Sequence, residues 1–180
     1  MKLHFSDIKS VIISQLESAS SEILIAVSWL TDRELFKILI NKLETGIRIS
    51  IITRNDYLNN HSNALPWQQF INLGGELRFC QAGKMLHYKF CVIDRNRAFV
   101  TSYNWTCFAG SNNRENIMLI DTPEAIESFI EEFNFLCQQF SIESNPSRIE
   151  MQSINGKLQG FYEITIEEDE KNQKITPIIS

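Results

Sequence analysis

Two apolar runs joined by one amphipathic segment limit this chain more than any other feature. EILIAVSW at 22–29 and IRISIITR at 47–54 are short, continuous and rich in branched residues. Such runs mark strands covered on both faces. Between them, Thr31 and Glu34 have the spacing of a capping box. Leu35, Phe36, Leu39, Ile40 and Leu43 recur at helical spacing, and Gly46 stands where a helix would stop. Strand, helix and strand in that order predict a parallel pair with a right-handed crossover. The expected class is therefore α/β, with a mixed central β-sheet flanked by helices.

The remaining elements follow from the same patterns. Ser6 is positioned to cap an amphipathic helix over 7–20, built on Ile8, Val11, Ile12, Leu16 and Ala19. The polar stretch 55–63 reads as a loop carrying His61, and ALPWQQFINL at 64–73 as a short helix ending at Gly74-Gly75. ELRFC (76–80), LHYKFCVID (86–94), RAFVTSYNW (97–105) and ENIMLID (115–121) read as strands, the middle two joined by a tight turn at Arg95-Asn96. Thr122 and Pro123 open a long helix whose inner face carries Ile126, Phe129, Ile130, Phe133, Leu136, Cys137 and Phe140. This organisation predicts a main domain over 1–140, a linker over 141–160 without clear periodicity, and a tail over 161–180 able to form a hairpin. A lone hairpin is too short to be stable unless it docks on something, so residues 141–180 are where a protein partner is expected.

Composition enters through charge. The chain carries −5 overall, which argues against a uniformly basic nucleic-acid binder. Residues 78–114, however, hold Arg78, Lys84, Lys89, Arg95, Arg97 and Arg114 against Asp94 alone. A basic island on an acidic protein suits an anionic substrate bound locally. Cys80, Cys91, Cys107 and Cys137 have no C-x-x-C spacing and are expected as buried thiols. No apolar run approaches the roughly 18 residues that cross a bilayer, and MKLHFSDIKS lacks the pattern of a signal peptide. The expectation is a cytoplasmic protein with no integral membrane association.

Chemistry concentrates between Met85 and Asn116. Side chains alternate along a strand, so His87 and Lys89 share one face, as do Ser102 and Asn104 on the next run. One imidazole, one ammonium, one hydroxyl and one amide at a common site suit a phosphate. Lysine supplies charge, and Ser102 and Asn104 supply neutral donors to non-bridging oxygens. Neutral imidazole is available near pH 7 as a nucleophile, and works best when a carboxylate orients it, for which Glu115 is the candidate. Tyr88, Tyr103 and Trp105 lie nearby, for stacking or for packing.

His87-x-Lys89-x4-Asp94-x6-Thr101-Ser102-x-Asn104 resembles the HKD signature of the phospholipase D superfamily, with Thr101 where that signature has glycine and Glu115 at the downstream acidic position. The resemblance covers roughly residues 1–140 and is strongest toward small single-motif bacterial endonucleases of the Nuc type. It implies His87, Lys89, Asp94 and Glu115 as catalytic, with Asp94 in a supporting role. Lys89, Ser102 and Asn104 become the phosphate-binding set. It further implies a phosphohistidine intermediate and no metal or other cofactor. The mechanism needs two histidines and the chain has one in this context, so a homodimer joined through the active-site face is expected. The implied activity is a nuclease cutting DNA or RNA. A cardiolipin-type phosphodiesterase and a weakly catalytic nucleic-acid or protein-binding module are the alternatives.

Overall fold

Every apolar run picked out above forms a strand, and the alternation of its side chains explains why it is apolar throughout. The computed structural model describes residues 1–80, 86–106 and 113–149, together with the backbone at 152–154, 157–159 and 163–164. In chain order the elements are β1 (Lys2–His4), α1 (Ile8–Glu17), β2 (Glu22–Val27), α2 (Arg33–Glu44), β3 (Arg48–Arg54), α3 (Tyr57–Asn60), α4 (Trp67–Asn72) and β4 (Glu76–Cys80). They continue with β5 (Lys89–Ile93), β6 (Arg97–Thr101), β7 (Ile117–Ile120), α5 (Pro123–Gln139), β8 (Gln152–Ile154), β9 (Lys157–Gln159) and β10 (Glu163–Ile164).

The described residues form a mixed seven-stranded sheet in the order β1-β7-β6-β5-β2-β3-β4. β2, β3 and β4 run parallel, whereas β5 pairs antiparallel with β2 and leads into the antiparallel β6, β7 and β1. Ile23, Ile25 and Val27 of β2 join the cluster under α1, α2 and α4, with Trp67 and Phe70 at its far end. Leu24 and Ala26 face the opposite cluster, closed by Ile126, Ile130, Phe133 and Leu136 of α5. A central strand thus buries both faces, which removes any polar alternation from its sequence.

Three local expectations shift. The cap of α1 is Asp7, in a left-handed conformation with φ 54° and no side-chain hydrogen bond, rather than Ser6. The cap of α2 is Asp32, whose Oδ1 accepts from the backbone N–H groups of Glu34 and Leu35. Thr31 instead donates its N–H to the Trp105 carbonyl, so the capping box gives way to a tertiary contact. The β5–β6 turn is centred on Asp94 and Arg95, both at positive φ (52° and 53°), one residue before the expected Arg95-Asn96. Gly46 and Gly74, at φ 87° and 90°, do end their helices as expected.

β1 is absent from the sequence reading because three residues with exposed Leu3 give no periodic signal. Ile142 and Glu143 pair with β4, through a bridge between Arg78 and Ile142 and a bond from Glu143 N to the Leu77 carbonyl, and Arg148 and Ile149 then bond to the stretch around α3, at His61, Leu65 and Asn60. β8, β9 and β10 form a small antiparallel sheet, so strands occupy 152–154 and 157–159 inside the stretch read as a linker. Most of the tail, 165–180, lies outside the described residues.

Candidate active site

Register brings the reactive residues to one end of the sheet. Lys89 opens β5 opposite Val27 of β2, and Thr101 closes β6 opposite Ile117 of β7. His87 precedes the strand rather than lying in it. The lead-in is pinned by a 2.9 Å bond from the Ser28 N–H to the Tyr88 carbonyl. The imidazole is exposed, whereas Lys89 is 7% exposed, with its Nζ 3.3 Å from the His87 carbonyl oxygen.

Ser102 and Asn104 likewise lie just past the end of β6. Thr101 makes that exit tight, since its Oγ1 donates to the Asn116 carbonyl and accepts from the Tyr103 N–H. The hydroxyl of Ser102 donates to Glu115 and accepts from the Asn116 N–H at 3.0 Å. Glu115 therefore engages Ser102 rather than the imidazole it was expected to orient. Trp105 then locks the loop. Its N–H donates to the Trp29 carbonyl at 3.0 Å, and its own carbonyl accepts from Thr31 and Asp32 at 2.8 and 2.9 Å. Held between these clamps, Asn104 keeps a buried Oδ1 with no hydrogen-bond partner among the described residues. Thr101 fits at the position where the superfamily signature has glycine because its hydroxyl takes part in the turn.

Electrostatics favour an unprotonated imidazole. The Lys89 ammonium, then partial burial, then Arg54 hold His87 below its ordinary range. Burial likewise lowers Lys89, with Glu115 opposing and Arg54 adding to the effect. Among the described residues no cluster of three His, Cys, Asp or Glu side chains is arranged to hold a metal ion.

Asp94 lies apart from the other candidate residues. It stands at the other end of β5, five residues from Lys89 and so about 16 Å away at the rise of a strand. Its carboxylate accepts from the N–H groups of Ser20, Ser21 and Glu22 and from both serine hydroxyls, and pairs with Arg97 at 3.2 Å. Partial burial pushes this carboxyl up, but those donors outweigh it and hold it well below the usual carboxylate range. Asp94 pins the β5–β6 hairpin to the start of β2 and touches none of the reactive groups. Tyr103 and Trp105 are core residues, whereas Tyr88 is 45% exposed beside His87. His4 closes edge strand β1 opposite Ile117, at the same end of the sheet but three strands from β5, and His61 packs on Tyr57 with ring centroids 5.3 Å apart.

The sequence reading missed a buried polar group on the β3 side. Arg54 ends β3 and pairs with Asp56 at 3.1 Å; Trp29 Nε1 donates to the same carboxylate at 2.8 Å, and the guanidinium lies 4.9 Å from the Trp29 ring centre. Asn59 fastens this corner, donating to the Ser28 and Arg54 carbonyls and accepting from the Leu30 N–H. The available signal was the position of Arg54 at the carboxyl end of a parallel strand, where open α/β sheets place their ligands.

Comparison with known proteins agrees with this architecture. A family model described as "Cardiolipin synthase, PLD-like domain" matches residues 12–137, more than two thirds of the chain. The protein called mitochondrial cardiolipin hydrolase in Homo sapiens is 30% identical over 98 residues, 54% of this chain and 38% of that protein. Its namesake in Chlamydomonas reinhardtii is 29% identical over 125 residues, 69% of this chain and 55% of that one. The chain thus spans about half the length or less of these relatives. Among solved structures, the phospholipase D family member Nuc from Salmonella typhimurium superposes with a TM-score of 0.71 at 21% identity, covering 80% of this chain and 97% of Nuc. NucT from Helicobacter pylori gives 0.65 at 22%, covering 79% and 98%; at such identities the likeness speaks for the fold. With a seven-stranded sheet of this kind and a family match across its whole core, the chain belongs to the PLD-like domain family of the phospholipase D superfamily.

Proposed function

We propose that this chain is a metal-independent phosphodiesterase that cleaves nucleic acid through a phosphohistidine formed on His87. The observation that carries it is an exposed imidazole, held toward its neutral form by the buried Lys89 ammonium near it, with Ser102 and Asn104 at the same end of the sheet. A free imidazole nitrogen attacks phosphorus, and the bond to the leaving oxygen breaks as that oxygen takes a proton from a second, protonated imidazole. Water then gives its proton to this second imidazole and attacks phosphorus, and the phosphorus–nitrogen bond breaks. Lys89, Ser102 and Asn104 hold the non-bridging oxygens, which gain charge in both steps.

The second imidazole is the argument for a homodimer. Of the three histidines only His87 adjoins Lys89 in the chain and in space: His4, on β1, stands at the same end of the sheet but three strands from β5, and His61 packs on Tyr57, so the partner acid comes from His87 of a second copy across a two-fold axis. When wild-type and His87→Ala chains are co-expressed in equal amounts, random pairing leaves about a quarter of the dimers with both histidines. Activity per chain is expected to fall to about a quarter of wild type. A fall to half would mean that each chain works alone.

Nucleic acid is favoured by the motif's resemblance to small single-motif endonucleases and by the exposed ring of Tyr88 beside His87, since bases stack on such rings. Lipid is the second reading, favoured by the relatives named cardiolipin hydrolases; cardiolipin is also an anionic phosphodiester. The deciding experiment incubates the protein in EDTA with single- and double-stranded DNA, RNA and cardiolipin vesicles. Cleavage of a nucleic acid alone supports the first reading, and lipid turnover alone transfers the assignment to the second. Activity abolished by EDTA and restored by a divalent metal would refute the metal-free mechanism.

A further inference from the structure

His87 and Lys89 have a charged neighbour that the reaction above does not use. Arg54 N–H bonds to the Ser28 carbonyl at 3.4 Å, and Ser28 N–H bonds to the Tyr88 carbonyl at 2.9 Å. Arg54, Ser28 and Tyr88 therefore lie in one row across β3, the end of β2 and the lead-in to β5. With neighbouring strands about 4.8 Å apart, the backbones of Arg54 and Tyr88 are about 10 Å apart. The Arg54 side chain is 5% exposed, paired with Asp56 on one side and laid against Trp29 on another. A cation fixed this firmly does not follow a substrate into place. It acts through its field, which reaches further in a buried setting than in water.

We propose that Arg54 is a third cation of the phosphate site, a positioning residue whose charge acts on His87, Lys89 and the bound phosphate, and that Asp56 sets how much of that charge the site feels. The action on the phosphate rests on the phosphodiesterase reading above; the action on His87 does not. A buried ion pair is by itself a weak source of stability, so folding alone is a poor reason for this pair to stand here. Arg54 contributes to the lowering of both His87 and Lys89. The other described charges around them are few. Glu115 opposes the effect at Lys89, Glu132 of α5 faces Tyr88, and Asp56, itself pushed up by burial, lies against Arg54. Arg54 thus adds to Lys89 and to partial burial in holding the attacking imidazole toward its neutral form.

The two members of the pair give predictions of opposite sign, which a merely structural role would not. The His87 imidazole is titrated by NMR without substrate, and the acid limb of kcat/KM is followed on whichever substrate is cleaved. Arg54→Gln is expected to move both to higher pH, Asp56→Asn to move both to lower pH, and Arg54→Lys to leave the titration where it is. At pH 6 Arg54→Gln should lose about fivefold to fifteenfold more kcat/KM than at pH 8. That is the scale of one unit charge about 10 Å away at an effective dielectric between about 20 and 40.

Unshifted titrations in folded variants would overturn the proposal, as would shifts of the same sign in both. Should Arg54→Gln fail to fold, Asp56→Asn decides alone, because asparagine keeps an acceptor for Trp29 Nε1 and the shape of the side chain. Opposite shifts of His87 without cleavage of any phosphodiester would retain the field effect and reject the phosphodiesterase reading. Cleavage with unshifted titrations would do the reverse.

Discussion

His87→Ala is expected to lower kcat/KM by at least about 10⁴-fold on any substrate the protein cleaves, because in a two-fold dimer the substitution removes the nucleophile and the acid together. Losses of residues that act as a unit do not add, so mutating Lys89 as well should cost little more. His87 is exposed, so the melting temperature should stay within about 2 °C of wild type. Initial rates and a thermal melt on the same preparation check both halves. Retention of more than about 1% of the activity, or a large drop in melting temperature, would remove His87 from the reaction.

Asp94→Ala is expected to do the opposite: little to the chemistry of the folded protein and much to its stability. The carboxylate accepts from three backbone N–H groups and two hydroxyls, and its side chain is 7% exposed. Charge-assisted bonds to a shielded carboxylate contribute about 1.5–3 kcal/mol each when lost singly and do not add fully. Alanine also tolerates the positive φ at this position less well than aspartate. A loss of about 3 kcal/mol follows, or about 6–12 °C in melting temperature for a chain of this size.

The pH dependence has a definite sign. The folded-state pKa is depressed, so the contribution is fully present above the unfolded value of about 3.9 and disappears as pH falls toward the folded one. Urea unfolding at pH 7 and pH 3 should show the gap between wild type and Asp94→Ala narrowing at the lower pH. A variant that kept its stability and lost its activity would return Asp94 to the catalytic set.

Much of the fold could be read because its signals are local. β2 after Glu22 and the isoleucines of β3 are apolar on both faces since each strand is covered twice, and the helix between them shows its buried stripe in every turn. Edge strand β1 escaped because it is three residues long and half its apolar surface faces out. The turn at Asp94-Arg95 was misplaced by one residue for a different reason. Its left-handed backbone brings the Asp94 carboxylate onto Ser20, Ser21 and Glu22, more than seventy residues earlier, and no local pattern reports such a contact.

The sequence by itself determined the α/β class, the helices and strands of the core, and which side chains near the centre of the chain are suited to a phosphate. Spacing sufficed because strands alternate with period two, and because imidazole, ammonium, hydroxyl and amide have fixed chemistry wherever they stand. Only the tertiary structure decided which of those residues share a site. The register of β5 against β2 and β6 sends Asp94 to the far end of the sheet, while the parallel pairing of β2 with β3 brings Arg54, distant in sequence, to the end that holds His87. Register is a property of two strands at once, set by how both bury their faces, and that is why a pattern along one strand identifies reactive side chains without saying which of them meet.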